Sequence, residues 1–310
     1  MDLRQLEYVV AVAEERSFTR AAARCHVVQS ALSAQVARLE RELGVTLFHR
    51  TSRSVRVAPA GELLLPHARE LLRGAEVARA ELAGFSGVVT GRLRLGVIGT
   101  AAMRLPRFDR ALLAFHQRHP AVEIAVHDTG SRHMAEAVRT GDLDLAFVGL
   151  YAEQLPPGLV HHLLADEPLV AVVAPTHPLA GRDGVALDEL AATGPFIEMR
   201  RESGLRLQAD AAFDRAAVER TVAFELGTPD AVARYAGLGL GAGLVPASTA
   251  RAAARVAVLR LDDPTARHPI GLVHRAPAPS TPSARAFLAV VLGTGGESPG
   301  RAGPTGDPRR

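Results

Sequence analysis

The sequence predicts an α/β protein with three parts: an N-terminal winged helix-turn-helix, a long linker helix, and a larger C-terminal region. Three observations lead to this prediction. A basic segment near the N-terminus has the pattern of three short helices and two short strands. A helix-forming segment with a seven-residue apolar repeat follows it. Beyond residue 92, short apolar runs alternate with helical patterns, as they do in α/β domains.

Composition limits the class of protein. The chain has 310 residues, of which 47% are apolar and 22% charged, values typical of a globular protein. At about 100–150 residues per domain, this length predicts two or three domains. No apolar run reaches the roughly 18 residues of a membrane span, and the N-terminus lacks a signal-peptide pattern. The single cysteine, Cys25, excludes a disulfide framework and a cysteine metal cluster. We expect a cytoplasmic protein with no metal, no cofactor and no membrane partner.

Positive charge is concentrated near the N-terminus. All 36 basic residues are arginines, and residues 16–56 carry a formal charge of +6, whereas the whole chain carries only +3. Such asymmetry indicates a polyanionic partner at one end of the chain. A solvated basic face is the alternative, and charge alone does not separate the two.

Amphipathic spacing predicts three helices in the first 44 residues. The first has apolar residues at spacings of three and four, and Ser17 is positioned to cap a second, short helix that ends near Cys25. The third helix spans residues 29–43 and ends at Gly44. Its small, polar outer face suits entry into a major groove. Its apolar stripe consists of Leu32, Val36, Leu39 and Leu43.

A basic hairpin is predicted directly after the third helix. Residues 45–48 and 54–57 have the pattern of two short strands. Three arginines in this hairpin are enough for a wing that follows the phosphate backbone: Arg50, Arg53 and Arg56.

Residues 17–65, SFTRAAARCHVVQSALSAQVARLERELGVTLFHRTSRSVRVAPAGELLL, resemble the LysR-type bacterial transcriptional regulators. The pattern AAxxxxxxQSALSxQxxxLExELGxxLFxRxxRxxxxxPAG runs through them without a gap. The resemblance implies a DNA-binding domain over residues 1–58, with 29–43 as its recognition helix. It assigns DNA contacts to Gln29, Ser30, Ser33, Arg38, Arg50, Arg53 and Arg56.

Four positions depart from the usual family residues, which are Ser, Pro, Arg and Thr. This chain has Val28, Ser30, Ala34 and Ala58 there. Val28 and Ala58 remove helix N-caps, each worth about 1 kcal/mol. Ala34 removes a cation from the groove face, and with it a base contact worth roughly 1–3 kcal/mol. We therefore expect salt-sensitive binding through the wing, with base discrimination left to the remaining polar residues of the recognition helix.

A long helix is predicted from Pro59 to about residue 83, as part of a linker over residues 59–91. Its apolar residues repeat at spacings of four and three, the pattern of a coiled coil, and Pro66 predicts a bend. Burial against the chain's own core is one interpretation and a dimer seam is the other. The family resemblance favours the seam, and we expect a homodimer and, beyond it, a homotetramer. The predicted seam is Leu64, Ala68, Leu71, Ala75, Ala78 and Leu82.

Strands and helices alternate from residue 92, a pattern that predicts parallel α/β sheets. Residues 293–310 are rich in Gly, Pro and Arg and are expected to be a disordered tail. Strands are predicted at 93–98, 122–127, 143–148, 169–173, 196–199, 221–224, 243–245, 256–261 and 270–274. Helices are predicted at 105–118, 131–140, 205–215, 229–236 and 282–292.

The same region resembles the family more loosely, through GRLRLGVIGT, GDLDLAFVG and GLGLGAGLVP. The resemblance implies a bilobed effector-binding domain of periplasmic-binding-protein-like (type 2) fold over residues 92–292. Lobe I would comprise residues 92–162 and 268–292, and lobe II residues 163–267.

A ligand cleft is expected between these lobes. Ligands of open α/β sheets bind outside the carboxyl ends of strands, where helix N-termini favour anions. We therefore expect a small organic acid or similar polar metabolite, with Arg200 or Arg201 as its counter-ion. Ordinary caps and turns are the alternative for any one of these residues. The rule selects Gly99, Thr100, Ala101, Ser131, Gly149, Glu198, Arg200, Ser203 and Thr228, with Gly130 and Gly227 beside them.

An enzyme, or a binding protein with a helical appendage, is the competing interpretation. Residues 237–242 match the G-x-G-x-x-A dinucleotide pattern, but they follow a helix and enter a strand, the reverse of the required context. The histidine pairs have no carboxylate at metal-motif spacing, and no Walker A, G-x-S-x-G or H-E-x-x-H pattern occurs. These pairs are His116 with His119 and His161 with His162.

The sequence thus predicts a sequence-specific DNA-binding transcriptional regulator, not an enzyme, controlled by a small-molecule co-inducer. Its expected partners are double-stranded operator DNA, the effector and further copies of the chain. RNA polymerase is an additional candidate.

Overall fold

The structure is a computed structural model that describes residues 1–50, 54–84, 88–98 and 106–293. Four residues singled out from the sequence lie outside the described residues, as does nearly all of the predicted tail. They are Arg53, Gly99, Thr100 and Ala101.

The N-terminal domain has three helices and a two-stranded hairpin. Ser17 caps the second helix as predicted, because its Oγ accepts a hydrogen bond from the Arg20 N–H at 3.4 Å. The third helix ends where Gly44 adopts a left-handed φ of +68°. Leu43, the last residue of that helix, is exposed, so the prediction that it completes the buried stripe is wrong. The elements are α1 (Leu3–Glu15), α2 (Phe18–Arg24), α3 (Gln29–Leu43), β1 (Phe48–Arg50) and β2 (Val55–Val57).

The first strand of the hairpin begins three residues later than predicted. The carboxylate of Glu40 accepts hydrogen bonds from the N–H groups of Leu47, at 2.8 Å, and Phe48, at 3.2 Å. These bonds tie the chain to the side of α3 before it can pair with β2, so antiparallel pairing starts only at Phe48, opposite Val57.

The linker is one helix, α4 (Pro59–Gly84), with Pro66 inside it. Its first half packs on the N-terminal domain, where Leu65 and Ala68 are buried among the side chains of α1 and α3. Ala68 is fully buried within its own chain and Leu64 packs on the same core. That half of the predicted seam therefore serves the chain's own core.

The C-terminal region contains ten further strands and seven further helices among the described residues. The strands are β3 (Gly91–Gly96), β4 (Val122–His127), β5 (Leu145–Val148), β6 (Leu159–Val173), β7 (Gly184–Val185), β8 (Phe196–Met199), β9 (Val222–Leu226), β10 (Gly243–Pro246), β11 (Ala257–Leu261) and β12 (Arg267–Arg275). The helices are α5 (Pro106–Arg118), α6 (Ser131–Thr140), α7 (Leu187–Ala191), α8 (Gly204–Ala216), α9 (Pro229–Gly237), α10 (Ala247–Ala252) and α11 (Pro282–Leu292).

The sheets of this region are mixed, whereas parallel sheets were predicted. Strands β3, β4 and β5 are parallel to one another, and β8 is parallel to β9. Strand β12 runs antiparallel to both β5 and β6. The region is therefore of the mixed α/β class, because antiparallel strands pair with the parallel ones.

Two long strands join the two halves of the region. Residues 159–168 of β6 pair with β12, and residues 169–173 pair with β10 and β11. The first of these stretches was not predicted, because its sequence, LVHHLLADEP, contains polar residues and a proline that obscure the strand pattern.

Each half has its own aromatic core. Phe115 meets Phe287 edge-to-face at 5.3 Å on the β3–β5 side. Phe196 meets Phe213 in the same geometry at 5.1 Å on the β8–β11 side. None of the helices in the described ranges combines the length and apolar character that a membrane span requires.

Candidate nucleic-acid interface and ligand cleft

The outer face of α3 is polar and open to solvent. Gln29, Ser30 and Arg38 are exposed on it, while Leu32 and Leu39 anchor the opposite face in the core. The residue before the helix is Val28, which provides no side-chain cap, as its departure from the family pattern predicts. The first N–H groups of α3 therefore remain free to donate to an oxygen such as that of a phosphate.

Two of the predicted DNA contacts bind each other. Arg50, on β1, donates from Nη1 to Ser33 Oγ at 2.8 Å, and its guanidinium carbon lies 4.0 Å from the centre of the Phe18 ring. A weaker contact at 3.5 Å joins it to the Glu40 carboxylate. Arg50 thus joins the wing to α3.

Arg56 is the wing cation that projects from β2. It is exposed, opposite His49 in the hairpin register, and within the described ranges it has no ion-pair partner. Arg20 and Arg24, by contrast, are paired with the carboxylates of Glu15 and Glu14. Arg56 and Arg38 are therefore available for phosphate.

A cavity of about 290 Å³ lies between the two halves of the C-terminal region. One wall comes from the ends of β3 and β4 and the start of α6, and the other from the starts of α8 and α9. Four of the predicted ligand contacts line it: Ser131, Arg200, Ser203 and Thr228, together with Gly130 and Gly227.

Three helices begin at this cavity, and their ends differ in capping. Ser203 Oγ accepts from the Leu205 N–H, and Thr228 Oγ1 accepts from the Ala231 N–H, each at 3.2 Å. At α6 the cap position is Gly130, which has no side chain to accept a hydrogen bond. Of the three, α6 is thus the helix whose positive end has no side chain at its cap position.

The charged side chains around the cavity have both signs. Arg200 has no ion pair within the part of the chain that the structure describes. Asp128 and Glu202 also line the cavity, one from each side. Among the described residues, the walls therefore offer one cation and three helix ends to an anion, and the Glu202 carboxylate repels a second negative charge.

His268 is a buried titratable residue in the lining of the cavity. The side chain is 3% exposed, and its Nδ1 has no hydrogen-bond partner among the described residues. Burial lowers the pKa of His268 to about 4, against a smaller opposing effect of the Asp166 charge. The imidazole is neutral near pH 7 and can donate one hydrogen bond without adding charge.

Glu198 does not line the cavity, contrary to the prediction. It is 4% exposed and is not among the residues that line the cavity; its carboxylate meets Arg206 Nε at 2.7 Å and Arg220 Nη2 at 2.9 Å. Arg220 also covers the ring of Phe213 at 4.1 Å. Glu198 cannot reach a ligand because both of its oxygens hold buried arginines.

The other predicted ligand contacts also differ in position. Gly149 lies just behind the cavity, where its N–H donates to Ser131 Oγ at 3.1 Å. Arg201 points outward and lies 3.6 Å from the Glu225 carboxylate. Asp128, like Thr129 beside it, follows a predicted strand and meets the strand-end rule that selected the others. His268 does not follow a predicted strand, so the rule could not have selected it.

Two family models cover most of the chain. Residues 3–62 match the bacterial regulatory helix-turn-helix protein, lysR family, and residues 86–295 match the LysR substrate binding domain.

Curated relatives and solved structures agree with these matches. The chain is 34% identical over 284 residues to the DNA-binding transcriptional dual regulator OxyR of Escherichia coli K12, covering 90% of this chain and 91% of that protein. It superposes on a cysteine-to-aspartate variant of full-length OxyR from Pseudomonas aeruginosa with a TM-score of 0.72 and 26% identity, over 94% of each chain. For a cysteine-to-serine variant of Corynebacterium glutamicum OxyR with hydrogen peroxide bound, the TM-score is 0.55 and the identity 31%, over 94% of this chain and 90% of that one.

Proposed function

This chain belongs to the LysR family of DNA-binding transcriptional regulators, and from that premise we propose which ligand it senses and which surfaces it uses. We infer that the α3 face and the wing bind an operator, that the interlobe cavity binds a small organic monoanion, and that α4 joins two copies. The protein acts in the cytoplasm, where it meets DNA and, as a further partner, RNA polymerase.

For DNA, the supporting observation is the open polar face of α3 beside Arg56, a wing cation with no ion-pair partner within the described ranges. Gln29, Ser30 and Arg38 are positioned to reach base edges or phosphates, and Arg56 to reach the backbone. Ser33 and Arg50 contribute by holding the wing against α3, in addition to any contact of their own.

For the effector, the supporting observation is the uncapped N-terminus of α6, which faces Arg200 and the buried His268 across the cavity. Free N–H groups, a helix dipole and a guanidinium favour a carboxylate. The Glu202 carboxylate opposes a second negative group, so a monocarboxylate or a zwitterion fits better than a dicarboxylate. The volume of about 290 Å³ suits a small metabolite.

A thermal-shift screen tests this assignment. Sodium salts of small monocarboxylic acids and amino acids are compared with matched dicarboxylates and with the corresponding neutral amides. A monocarboxylate at 100 times its Kd should stabilise the protein by about 2.7 kcal/mol. Thr228→Val with Arg200→Gln should abolish the shift, whereas Arg201→Gln should preserve it. Equal shifts from acid and amide would contradict the anion assignment.

Thiol oxidation is not the signal we propose, although OxyR relatives include proteins named as hydrogen peroxide-inducible genes activators. The only cysteine of this chain is Cys25, at the end of α2, so residues 86–295 contain no thiol. Burial and the nearby Glu7 raise the pKa of Cys25, which keeps it in the less reactive thiol form. We expect hydrogen peroxide to leave operator affinity unchanged in the wild type and in Cys25→Ser. A peroxide response that Cys25→Ser abolishes would contradict this.

For dimerisation, the supporting observation is an exposed apolar stripe on the second half of α4. Leu71 is 48% exposed and Leu82 is 71% exposed, and with Ala75 and Ala78 they repeat at spacings of four, three and four. The opposite side of α4 packs on the chain's own domains. We propose that two α4 helices pair through this stripe, and that dimers assemble further into a tetramer.

Light scattering tests the stripe. Leu71→Asp with Leu82→Asp should lower the measured mass to that of one chain at micromolar concentration. Leu43→Asp, the same substitution at an exposed leucine of α3, should leave the assembly intact. An unchanged mass in the α4 variant would contradict the seam.

A further inference from the structure

Helix α6 runs from the ligand cavity to the linker helix. Its first residue, Ser131, lines the cavity, and its last, Thr140, lies against α4. At 1.5 Å per residue the ten residues of α6 span about 15 Å. Met134 and Val138 anchor its inner face in the core of lobe I, so the helix is a rigid unit.

The contact at the far end of α6 is made by Arg73 of α4. This side chain is 6% exposed, and its Nη2 donates to the Thr140 carbonyl oxygen at 3.3 Å. A cation there also meets the negative end of the α6 dipole. An arginine from the linker thus completes the C-terminus of a helix whose N-terminus faces the cavity.

The residue after α6 leaves room for that guanidinium. Gly141 has a left-handed φ of +83°, and a Cβ at this position would lie 1.4 Å from Arg73 Nη1. Both the backbone conformation and the space require glycine. Gly141 therefore leaves a socket at the end of α6, and the guanidinium of Arg73 from the linker helix fills it.

A second arginine extends the link to the DNA-binding domain. Arg69, one turn before Arg73 on α4, lies 3.6 Å from the Asp142 carboxylate of lobe I and 3.4 Å from the Glu14 carboxylate of α1. Glu14 in turn pairs with Arg24 of α2 at 2.7 Å. A continuous series of contacts runs from the cavity to the helices that support α3.

The socket contains a second acceptor. Asp144 is buried beside it; its Oδ2 accepts from the Arg94 N–H at 2.8 Å, while its Oδ1 has no partner among the described residues. A small shift of α4 against α6 would let Arg73 exchange the Thr140 carbonyl for this oxygen. The charge of Asp144 acts on Arg73 in the present arrangement, and an exchange of Arg73 between the two acceptors would supply the two-state element that coupling requires.

We propose that α6 transmits the state of the ligand cavity to the DNA-binding domain, and that Arg73, seated on Gly141, is the positioning residue at the point of transfer. The inference rests on the proposed function, since it assigns a route between the two proposed sites. Ligand binding at the N-terminus of α6 displaces the helix along its axis, and Arg73 passes that displacement to α4.

A double-mutant cycle in full-length protein tests the route without knowledge of the effector. Gly130→Ala perturbs the cavity end, because a Cβ there would lie 2.6 Å from the Glu202 carbonyl oxygen and would force the lobes apart. Arg73→Met removes the charge at the linker end and retains the bulk of the side chain. The readout is the Kd for a labelled duplex from the region upstream of the chain's own gene.

We expect Gly130→Ala to change that Kd about fivefold or more in the wild-type background, the usual scale of allosteric coupling. In the Arg73→Met background the same change should have less than about a twofold effect. Arg79→Met, an exposed arginine on the same helix, is the matched control and should preserve the full effect. Ser131→Ala and Arg69→Gln replace the two variants if either fails to fold.

An equal effect of Gly130→Ala in the wild-type and Arg73→Met backgrounds would overturn the route through Arg73. No effect in either background would overturn the role of α6. If the wild type shows no preference for the duplex over a scrambled one, the proposed function itself fails, which is a distinguishable result.

Discussion

Arg50 donates a hydrogen bond to Ser33 Oγ at 2.8 Å, and this bond joins the wing to the recognition helix. The same guanidinium stacks on Phe18 at 4.0 Å, so it is fixed from two sides. Strand β1 of the wing is therefore positioned before DNA arrives. That pre-organisation lowers the entropic cost of forming the complex.

This bond predicts that Ser33→Ala and Arg50→Ala will not act independently on operator affinity. Each variant alone releases the wing. The loss of binding free energy in the double variant should therefore exceed the larger of the two single losses by no more than about 0.5 kcal/mol. Ser33→Ala combined with Arg38→Ala is the control, because Arg38 does not contact Ser33 in the structure and its effect should add. Additivity of the Ser33 and Arg50 effects would show that the bond does not position the wing.

Arg56 predicts a change in salt dependence. Removing one phosphate contact should lower the slope of log K against log salt by about 1 for Arg56→Ala, while relative preference among sequences persists. Arg79→Ala, far from the α3 face, should leave the slope unchanged. Anisotropy titrations over several salt concentrations measure both, and an unaltered slope for Arg56→Ala would remove Arg56 from the interface.

Glu198 predicts a large loss of stability without a direct loss of ligand contact. Glu198→Gln leaves the buried guanidinium groups of Arg206 and Arg220 with an incomplete partner, and breaking such a pair costs roughly 3–5 kcal/mol. Glu225→Gln removes a carboxylate that is 42% exposed, and it should cost less than about 1 kcal/mol. Urea unfolding of both variants checks this prediction, and equal losses would contradict it.

His268 predicts a loss of stability in mild acid. Burial lowers the pKa of His268 to about 4, below that of an unfolded histidine, so the unfolded chain binds more protons between these two values. Stability is therefore lost as pH falls from about 6.5 towards 4, by about 2 kcal/mol at pH 5 for this group. His268→Gln should lose less stability than the wild type between pH 7.5 and pH 5. Parallel stability curves would show that His268 is not held neutral by burial.

Local features were predictable from the sequence, and contacts between distant segments were not. The bounds of α3 follow from one apolar period and from Gly44, which are both local signals. The burial of Ala68 and the bond between Arg50 and Ser33 depend on how α4 and the wing fold back on α3. The spacing of residues within one segment does not indicate which distant segment will pack against it.

The ligand cleft shows the same division. Ser131, Ser203 and Thr228 were found because each begins a helix directly after a strand, a pattern visible in the sequence. His268 reaches the cavity only because β12 crosses between the lobes beside β6. Glu198 satisfied the strand-end rule, yet it lies buried because Arg206 and Arg220 converge on it from α8 and the chain before β9.

The most direct test of the central claim is the affinity of the full-length protein for a labelled duplex from upstream of its own gene, measured against a scrambled duplex of equal length. A regulator that uses the α3 face should prefer the upstream duplex by roughly a thousandfold or more at physiological salt. It should lose that preference in Gln29→Ala with Arg38→Ala, and the monocarboxylate found by thermal shift should alter it. Equal affinity for both duplexes, unaffected by the α3 variant, would contradict operator recognition through this face.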